Sequence, residues 1–158
     1  MVKNLRILIL LIILCIIYKY GYKLYLVSGD SMDPSLSDKT IVLVDKRSYD
    51  FENPQLGDVI VLYDFEYDDF LIKRVLAIAG DSVEIVDGII YINGEIHEDV
   101  FSHDIIGVYS DYSGRIIATT DNPFVIVPKG HVWVIGDNRR DTWYGLVHVG
   151  DIIGSLKD

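Results

Sequence analysis

Short segments rich in β-branched and aromatic residues, separated by Gly, Asp and Asn, make up most of this chain after residue 26. Such segments are typical of strands, and the pairs Asp87-Gly88 and Asn93-Gly94 are typical of tight hairpin turns. The predicted strands are TIVLV (40–44), DVIVLY (58–63), FLIKRVLAI (70–78), SVEIV (82–86), IIYI (89–92), FVIV (124–127) and HVWVI (131–135). We therefore predict a mostly β fold.

The length of the chain, 158 residues, suits one domain with a single core once an apolar N-terminus is set aside. We place this β domain at residues 26–158 and the N-terminal segment at residues 1–25. Residues 97–123 are polar and contain Gly107, Gly114 and Pro123. Their composition predicts a small, cap-like β excursion from the domain.

The N-terminus carries an unbroken apolar run from Ile7 to Tyr18, followed by a Tyr-rich stretch with Lys19 and Lys23. A bilayer core needs about 20 apolar residues in a helix, and flanking tyrosines and lysines extend the run toward that length. A removable secretory signal is the competing interpretation. No small-residue cleavage site follows the run, so we predict a retained transmembrane helix. Basic residues lie on both sides of it and do not decide its orientation.

Charge and composition exclude several other functions. Acidic residues outnumber basic ones by 24 to 14, and the sequence has no run of basic residues of the kind that binds a phosphate backbone. We therefore expect no nucleic-acid partner. Cys15 is the single cysteine of the chain and lies in the apolar run. The four histidines (97, 103, 131 and 148) show no spacing typical of a zinc site. We expect neither a metal nor a cofactor.

The segment SGDSMDPSL (28–36) contains a candidate nucleophile, Ser31. Gly29 permits unusual dihedral angles and Pro34 stiffens the exit of the turn, so the loop could direct backbone N–H groups at an oxyanion. The same residues also make an ordinary polar turn. A serine hydroxyl is a weak nucleophile without an adjacent base, so the choice depends on the rest of the chain.

Lys73 lies inside a predicted strand, where alternation places it on the face of Leu71, Val75 and Ala77. Desolvation on an apolar face lowers the pKa of a lysine and favours its neutral form, which is a general base. The alternative is an edge-strand lysine whose head reaches water. The serine–lysine dyad is a recurring catalytic solution, so Ser31 and Lys73 together favour catalysis more than either does alone.

The serine segment resembles the box around the nucleophile of bacterial type I signal peptidases, which commonly reads S-M-x-P-T-L. Ser31, Met32, Pro34 and Leu36 match it, and Ser35 stands where threonine is usual. The family's other boxes follow in order: GDVIVL (57–62), KRVLAIAGD (73–81), GDN (136–138) and the C-terminal VGDIIGS (149–155). The resemblance covers nearly the whole chain and implies an antiparallel, barrel-like catalytic β domain behind one transmembrane helix.

The resemblance also implies roles for single residues. Ser31 would be the nucleophile and Lys73 the general base, with the Ser31 N–H in the oxyanion hole. Gly29 occupies the position where some members place a helping serine hydroxyl. The small-residue pockets, which would accept the Ala-x-Ala region of a preprotein signal peptide, would be lined by Val27, Met32, Leu36, Leu71 and Ile72. The family implies a single-pass protein of the cell membrane, in contact with lipid, with its catalytic domain on the extracytoplasmic side.

The chain departs from the family pattern at two places. Ala77 and Ala79 replace the usual glycine and proline of the lysine box. The last box, GDNRRDTWYG (136–145), is shorter than GDNRxxSxDSRxxG and lacks its D-S-R. The simplest alignment puts Thr142 where a serine normally bonds the catalytic lysine, and a threonine hydroxyl can do the same. Asp141 with Arg139 or Arg140 could substitute for the missing Asp–Arg pair.

Two alternatives to a signal peptidase stay open at this point. GDSM also occurs in self-cleaving repressors of the LexA type, which use a serine–lysine dyad, but their N-terminal DNA-binding domain is replaced here by an apolar run. The other alternative is a catalytically silent, membrane-anchored β module that acts in the assembly of surface proteins. We predict a serine endopeptidase that cleaves signal peptides, because both Ser31 and Lys73 are present.

Overall fold

A computed structural model of the chain describes residues 2–19, 21–65, 68–97, 109–110, 116–118, 122–140 and 142–156. The single α-helix among these residues is α1 (Val2–Lys19), and a short 3-10 helix spans Val149–Asp151. The strands are β1 (Tyr22–Leu26), β2 (Ile41–Asp45), β3 (Val59–Asp64), β4 (Asp69–Ile78), β5 (Ser82–Val86), β6 (Ile89–Ile92), β7 (Glu95–Ile96), β8 (Tyr109–Ser110), β9 (Ile116–Ala118), β10 (Asn122–Ile126), β11 (His131–Ile135), β12 (Tyr144–His148) and β13 (Ile152–Leu156).

The strands form three antiparallel sheets. The largest has seven strands in the order β1-β2-β13-β3-β4-β11-β12, the second has four in the order β10-β5-β6-β7, and β8 pairs with β9. The C-terminal strand β13 lies between β2 and β3, so the two ends of the domain are joined in one sheet. The prediction of a mostly β, antiparallel fold is confirmed.

The predicted hairpin turns lie where the sequence puts them. Asp87 and Asn93 have φ values of 51° and 56°, and Gly88 and Gly94 have φ values of 77° and 80°. Two consecutive residues with positive φ make the turn that matches the twist of paired strands. These turns join β5 to β6 and β6 to β7.

Several strands differ from the sequence prediction. The segment expected to be an anchor over residues 1–25 is helical only to Lys19, and Tyr22–Leu26 pairs with β2 along its whole length. Strand β12 was not expected, because Gly145 interrupts its β-rich pattern. Most of the predicted excursion at residues 97–123 lies outside the described residues, which include β8 and β9 there.

A register shift in β4 changes the face of Ala77. Val134 of β11 pairs with Val75, while the adjacent Trp133 pairs with Ala77, so Leu76 is an extra residue on β4. Neighbouring residues on β11 point to opposite faces, and so do Val75 and Ala77. The prediction that Ala77 shares the face of Lys73 is therefore wrong, whereas Leu71 and Val75 pack in one cluster.

Three groups of buried side chains form the core. One joins the two larger sheets and contains Leu76, Ala77, Val83, Ile85, Ile90, Val127, Trp133 and Ile135. The second lies within the seven-stranded sheet and contains Ile60, Leu62, Val75, Val132, Val134 and Val147. The third contains Val27, Val42, Val44 and Val61, and it holds the chain immediately before the segment of Ser31.

Helix α1 presents large apolar side chains to its surroundings, and those of residues 7–13 are each 46–58% exposed. Along the described part of the chain, no helix combines the length and the apolarity that crossing a membrane requires.

Two isoleucines of the four-stranded sheet test the contribution of the core that joins the sheets. Ile85 is 1% exposed in this core and Ile126 is 61% exposed on β10. We expect Ile85→Ala to lower the free energy of unfolding by about 2–5 kcal/mol, because it leaves a cavity. Ile126→Ala should change it by less than about 0.5 kcal/mol. Urea unfolding of both variants measures the difference, and equal losses would contradict the assigned burial.

Candidate active site

Lys73 and Ser31, 42 residues apart in the chain, meet in the folded protein. Lys73 lies in the middle of β4, paired with the buried Ile60 of β3, and is 2% exposed. Its Nζ lies 2.9 Å from the Oγ of Ser31, which is hydrogen-bond distance. Among the described residues, Ser31 is the hydrogen-bond partner of this ammonium group. The predicted nucleophile and the predicted base are therefore in direct contact.

Burial changes the acidity of the lysine. Removal from water penalises the charged form and lowers the pKa of Lys73 to about 8, while the carboxylate of Asp137 opposes this by favouring the ammonium form. An amine with this pKa is neutral in a substantial fraction of molecules at mildly alkaline pH. Such an amine can accept the proton of a neighbouring hydroxyl.

The loop that carries Ser31 is folded by its own backbone hydrogen bonds. Val27 N–H donates to the Thr40 carbonyl at 2.8 Å, and Lys39 N–H donates to the Val27 carbonyl at 2.9 Å. Gly29 has a φ of 91°, and its N–H donates to the Asp38 carboxylate at 3.0 Å. The N–H of Ser31 donates to none of the described residues. It is therefore available to a substrate oxygen.

The loop after β11 holds the segment of Ser31 from the other side. Asn138 N–H donates to the Ser31 carbonyl at 3.0 Å, and the side-chain amide of Asn138 donates to the Asp30 carbonyl at 3.2 Å. The Nε of Arg139 donates to the Gly136 carbonyl at 2.9 Å. These contacts tie the GDN box to the backbone of the nucleophile.

A buried ion pair joins β4 to the same loop. The guanidinium of Arg74 contacts both carboxylate oxygens of Asp137, with N–O distances of 2.8 and 2.6 Å, and their side chains are 8% and 0% exposed. Arg74 also donates to the Gly57 carbonyl at 2.8 Å. This pair is not the one predicted from the sequence, which is Asp141 with Arg139 or Arg140; Asp141 lies outside the described residues. The sequence could have indicated the observed pair, because Arg74 lies in the box KRVLAIAGD and Asp137 lies in the box GDN.

Thr142 does not make the expected contact with Lys73. Its hydroxyl accepts a hydrogen bond from Gly136 N–H at 3.0 Å and donates one to the Trp143 carbonyl at 3.1 Å. The shortened loop brings Thr142 against Gly136 rather than against the lysine.

A cavity of about 220 Å³ opens beside Ser31, between β1 and β4. Four of the five residues expected to line the substrate pocket are found in it: Val27, Met32, Leu71 and Ile72. Leu36 instead packs against the core cluster of Val27 and lines a separate groove beside β2 and β3. Tyr25 and Phe70, which the sequence analysis did not select, also line the cavity, and their rings meet edge to face at 5.5 Å.

Comparison with known proteins identifies the family. The model of the family "Signal peptidase, peptidase S26" matches residues 2–157. The chain belongs to this family. It is 30% identical to signal peptidase IB of Staphylococcus aureus over an alignment of 155 positions, and the match covers 92% of this chain and 81% of that protein. It is also 30% identical to signal peptidase I of Bacillus caldolyticus over an alignment of 140 positions, and the match covers 84% of this chain and 75% of that protein.

A crystal structure of a signal peptidase I from Enterococcus faecalis has a similar fold, with a TM-score of 0.52 and 24% sequence identity. The match covers 67% of this chain and 98% of that one. The resemblance to type I signal peptidases is thus confirmed, as is the prediction that the chain is a hydrolase of the serine peptidase class. The match also favours this family over the LexA type.

The buried ion pair of this S26 peptidase is a testable support of the site. We expect Asp137→Asn to lower the free energy of unfolding by about 3–5 kcal/mol, because it leaves the charge of Arg74 buried without its counterion. Lys39→Gln is the control, because it breaks an exposed pair with Asp38 and should cost less than about 0.5 kcal/mol. Urea unfolding measures both. An Asp137→Asn variant as stable as the control would show that the pair does not support the fold.

Proposed function

We propose that this protein is a membrane-bound serine endopeptidase that cleaves signal peptides from exported preproteins with a dyad of Ser31 and Lys73. The observation that carries the proposal is the 2.9 Å contact between the Lys73 Nζ and the Ser31 Oγ, made by a lysine that is 2% exposed. The named relatives, signal peptidases I and IB, supply the substrate class. A catalytically silent module would not need a buried, partly neutral lysine beside a serine.

The first chemical step follows from the protonation state of the lysine. Neutral Lys73 removes the proton of the Ser31 hydroxyl while its Oγ attacks the carbonyl carbon of the scissile bond. The carbonyl oxygen becomes an oxyanion, and the Ser31 N–H donates a hydrogen bond to it. Gly29 offers no hydroxyl to this oxyanion, so its contribution is the backbone conformation that presents Ser31.

The second half of the reaction returns the proton. The Lys73 ammonium gives its proton to the leaving amine as the carbon–nitrogen bond breaks, and the signal peptide stays attached to Ser31 as an ester. Neutral Lys73 then takes a proton from water, whose oxygen attacks the ester carbonyl. Protonation of the Ser31 oxygen by Lys73 releases the signal peptide and restores the dyad.

The cavity beside Ser31 suits an apolar side chain. Val27, Met32, Leu71 and Ile72 give it an apolar wall, against which a charged side chain would lose its hydration. With the substrate class of the named relatives, we propose an Ala-x-Ala type of cleavage region. An extended peptide between β1 and β4 would place alternate side chains in this cavity.

We also propose that α1, together with the residues that flank it, anchors the protein in the cell membrane as a single pass. Its 18 residues extend about 27 Å at the usual helical rise. This is close to the thickness of about 30 Å of a bilayer hydrocarbon core. Its exposed leucines and isoleucines suit a lipid surrounding. The catalytic domain would then lie on the extracytoplasmic side, where exported preproteins emerge.

The dyad is tested by preprotein cleavage with the full chain in detergent. We expect Ser31→Ala and Lys73→Ala each to lower kcat/KM by about a thousandfold or more, because each removes a partner of a unit that acts together. Ser82→Ala on β5 and Lys129→Ala, an exposed residue before β11, are matched controls outside the loop of Ser31 and should stay within about twofold of the wild type. Full cleavage by either dyad variant would disprove the mechanism.

The pH dependence gives a second measurement of the same dyad. Because only neutral Lys73 accepts the serine proton, kcat/KM should rise with pH and level off above the pKa of about 8. A profile already flat from pH 6 would mean that Lys73 is not the base.

Membrane anchoring is tested by fractionation of expressing cells. We expect the wild type to sediment with membranes and to need detergent for release. Leu8→Arg with Leu11→Arg places two charges inside α1 and should weaken retention, since each arginine costs about 2.5–3.5 kcal/mol at the centre of a membrane helix. Lys3→Gln leaves the apolar residues intact and is the control. Retention of the double-arginine variant at the wild-type level would contradict the anchor.

A further inference from the structure

The hydroxyl of Thr142 closes the shortened loop after β11. A threonine hydroxyl has one proton to donate and lone pairs to accept with. The proton goes to the Trp143 carbonyl at 3.1 Å, and the oxygen accepts the Gly136 N–H at 3.0 Å. Gly136 and Thr142 are the two ends of the loop that contains Asp137 and Asn138. The hydroxyl therefore joins the loop end to end.

Gly136 contacts both Thr142 and Ser31. A Cβ on Gly136 would lie 2.1 Å from the Thr142 Oγ1 and 2.2 Å from the Ser31 carbonyl oxygen, so both oxygens lie against the same side of the glycine, where only a residue without a side chain fits. The Ser31 carbonyl also accepts a hydrogen bond from the Asn138 N–H at 3.0 Å. A displacement of Thr142 would therefore change the packing of Gly136 and of the loop that holds the Ser31 carbonyl.

From these contacts at Gly136 we propose that Thr142 is a positioning residue, which keeps Ser31 in line with Lys73 by supporting Gly136 and not by bonding the lysine. The inference rests on the proposed dyad and deepens it. It gives the loop that lacks D-S-R a substitute support. The Thr142 hydroxyl fixes the glycine end of the loop, and the Arg74–Asp137 pair fixes the middle.

The position of Thr142 distinguishes an effect on the alignment of Ser31 from an effect on substrate binding and from an effect on the pKa of Lys73. Thr142 does not line the cavity beside Ser31, so its loss should leave substrate binding unchanged. Its hydroxyl does not touch the Lys73 amine, so its loss should leave the pKa of the lysine unchanged. What remains is the alignment of the serine oxygen, which affects kcat alone.

The experiment compares Thr142→Val, which keeps the branched shape and loses the hydroxyl, with Thr142→Ser, which keeps the hydroxyl. Full-length variants are assayed on one preprotein, with kcat, KM and the pH profile measured. We expect Thr142→Val to lower kcat about tenfold or more, for misalignment of the nucleophile. Its KM should stay within about twofold, and the alkaline rise in activity should stay near pH 8. Thr142→Ser should recover most of the lost kcat.

Ser82→Ala is the control, since it also removes one hydroxyl, lies on β5 of the four-stranded sheet, and changes a side chain that makes no hydrogen bond among the described residues. It should behave as the wild type. If Thr142→Val does not fold, as judged by thermal unfolding, Thr142→Ala is used with the same expected result.

Three outcomes would overturn the inference. The first is an unchanged kcat in Thr142→Val. The second is a shift of the alkaline rise by about half a pH unit or more, which would mean that Thr142 acts directly on Lys73. The third is a loss of kcat in Thr142→Ser as large as that in Thr142→Val. Ser31→Ala and Lys73→Ala are measured beside them. If those two are inactive, such an outcome disproves the role of Thr142 alone; if they cleave normally, the dyad itself is wrong.

Discussion

The buried pair of Arg74 and Asp137 connects the parts of this site. It bridges β4, which carries Lys73, and the loop after β11, which bonds the carbonyls of Asp30 and Ser31. Two charges taken out of water must meet with good geometry, because removal of either partner strands the other. The contact therefore restricts how β4 and the nucleophile loop lie relative to each other. The negative charge of Asp137 also favours the ammonium form of Lys73, against the effect of burial.

The pKa of Lys73 is the second constraint. Desolvation in the seven-stranded sheet lowers the pKa of the amine, and its Nζ lies 2.9 Å from the Ser31 Oγ. Both effects need β4 to be buried around Lys73 and the serine loop to be held against it. The core cluster of Val27 and the close contact of Gly136 with the Ser31 carbonyl supply that support.

Much of the architecture was predictable because its signals are local. Asn93-Gly94 forms its hairpin turn from two residues alone, and β5, β6 and β11 have the predicted bounds. The predictions were wrong where residues distant in the chain determine the position of a side chain. Ala77 changes face because β11 imposes a register shift on β4, and Leu36 turns away from the cavity because it packs against Val27. Thr142 turns to Gly136 because the loop is short. No neighbour in the chain signals these contacts.

The sequence by itself determined the family and the class of fold and indicated Ser31 and Lys73 as the candidate dyad, because ordered boxes and strand patterns are properties of neighbours along the chain. The tertiary structure alone decided how Ser31 and Lys73 are held together. It brought Arg74 to Asp137 over 63 residues and set Gly136 against Ser31. Charged groups, carbonyls and hydroxyls bind partners that are close in space, and these partners come close only after the sheets have formed.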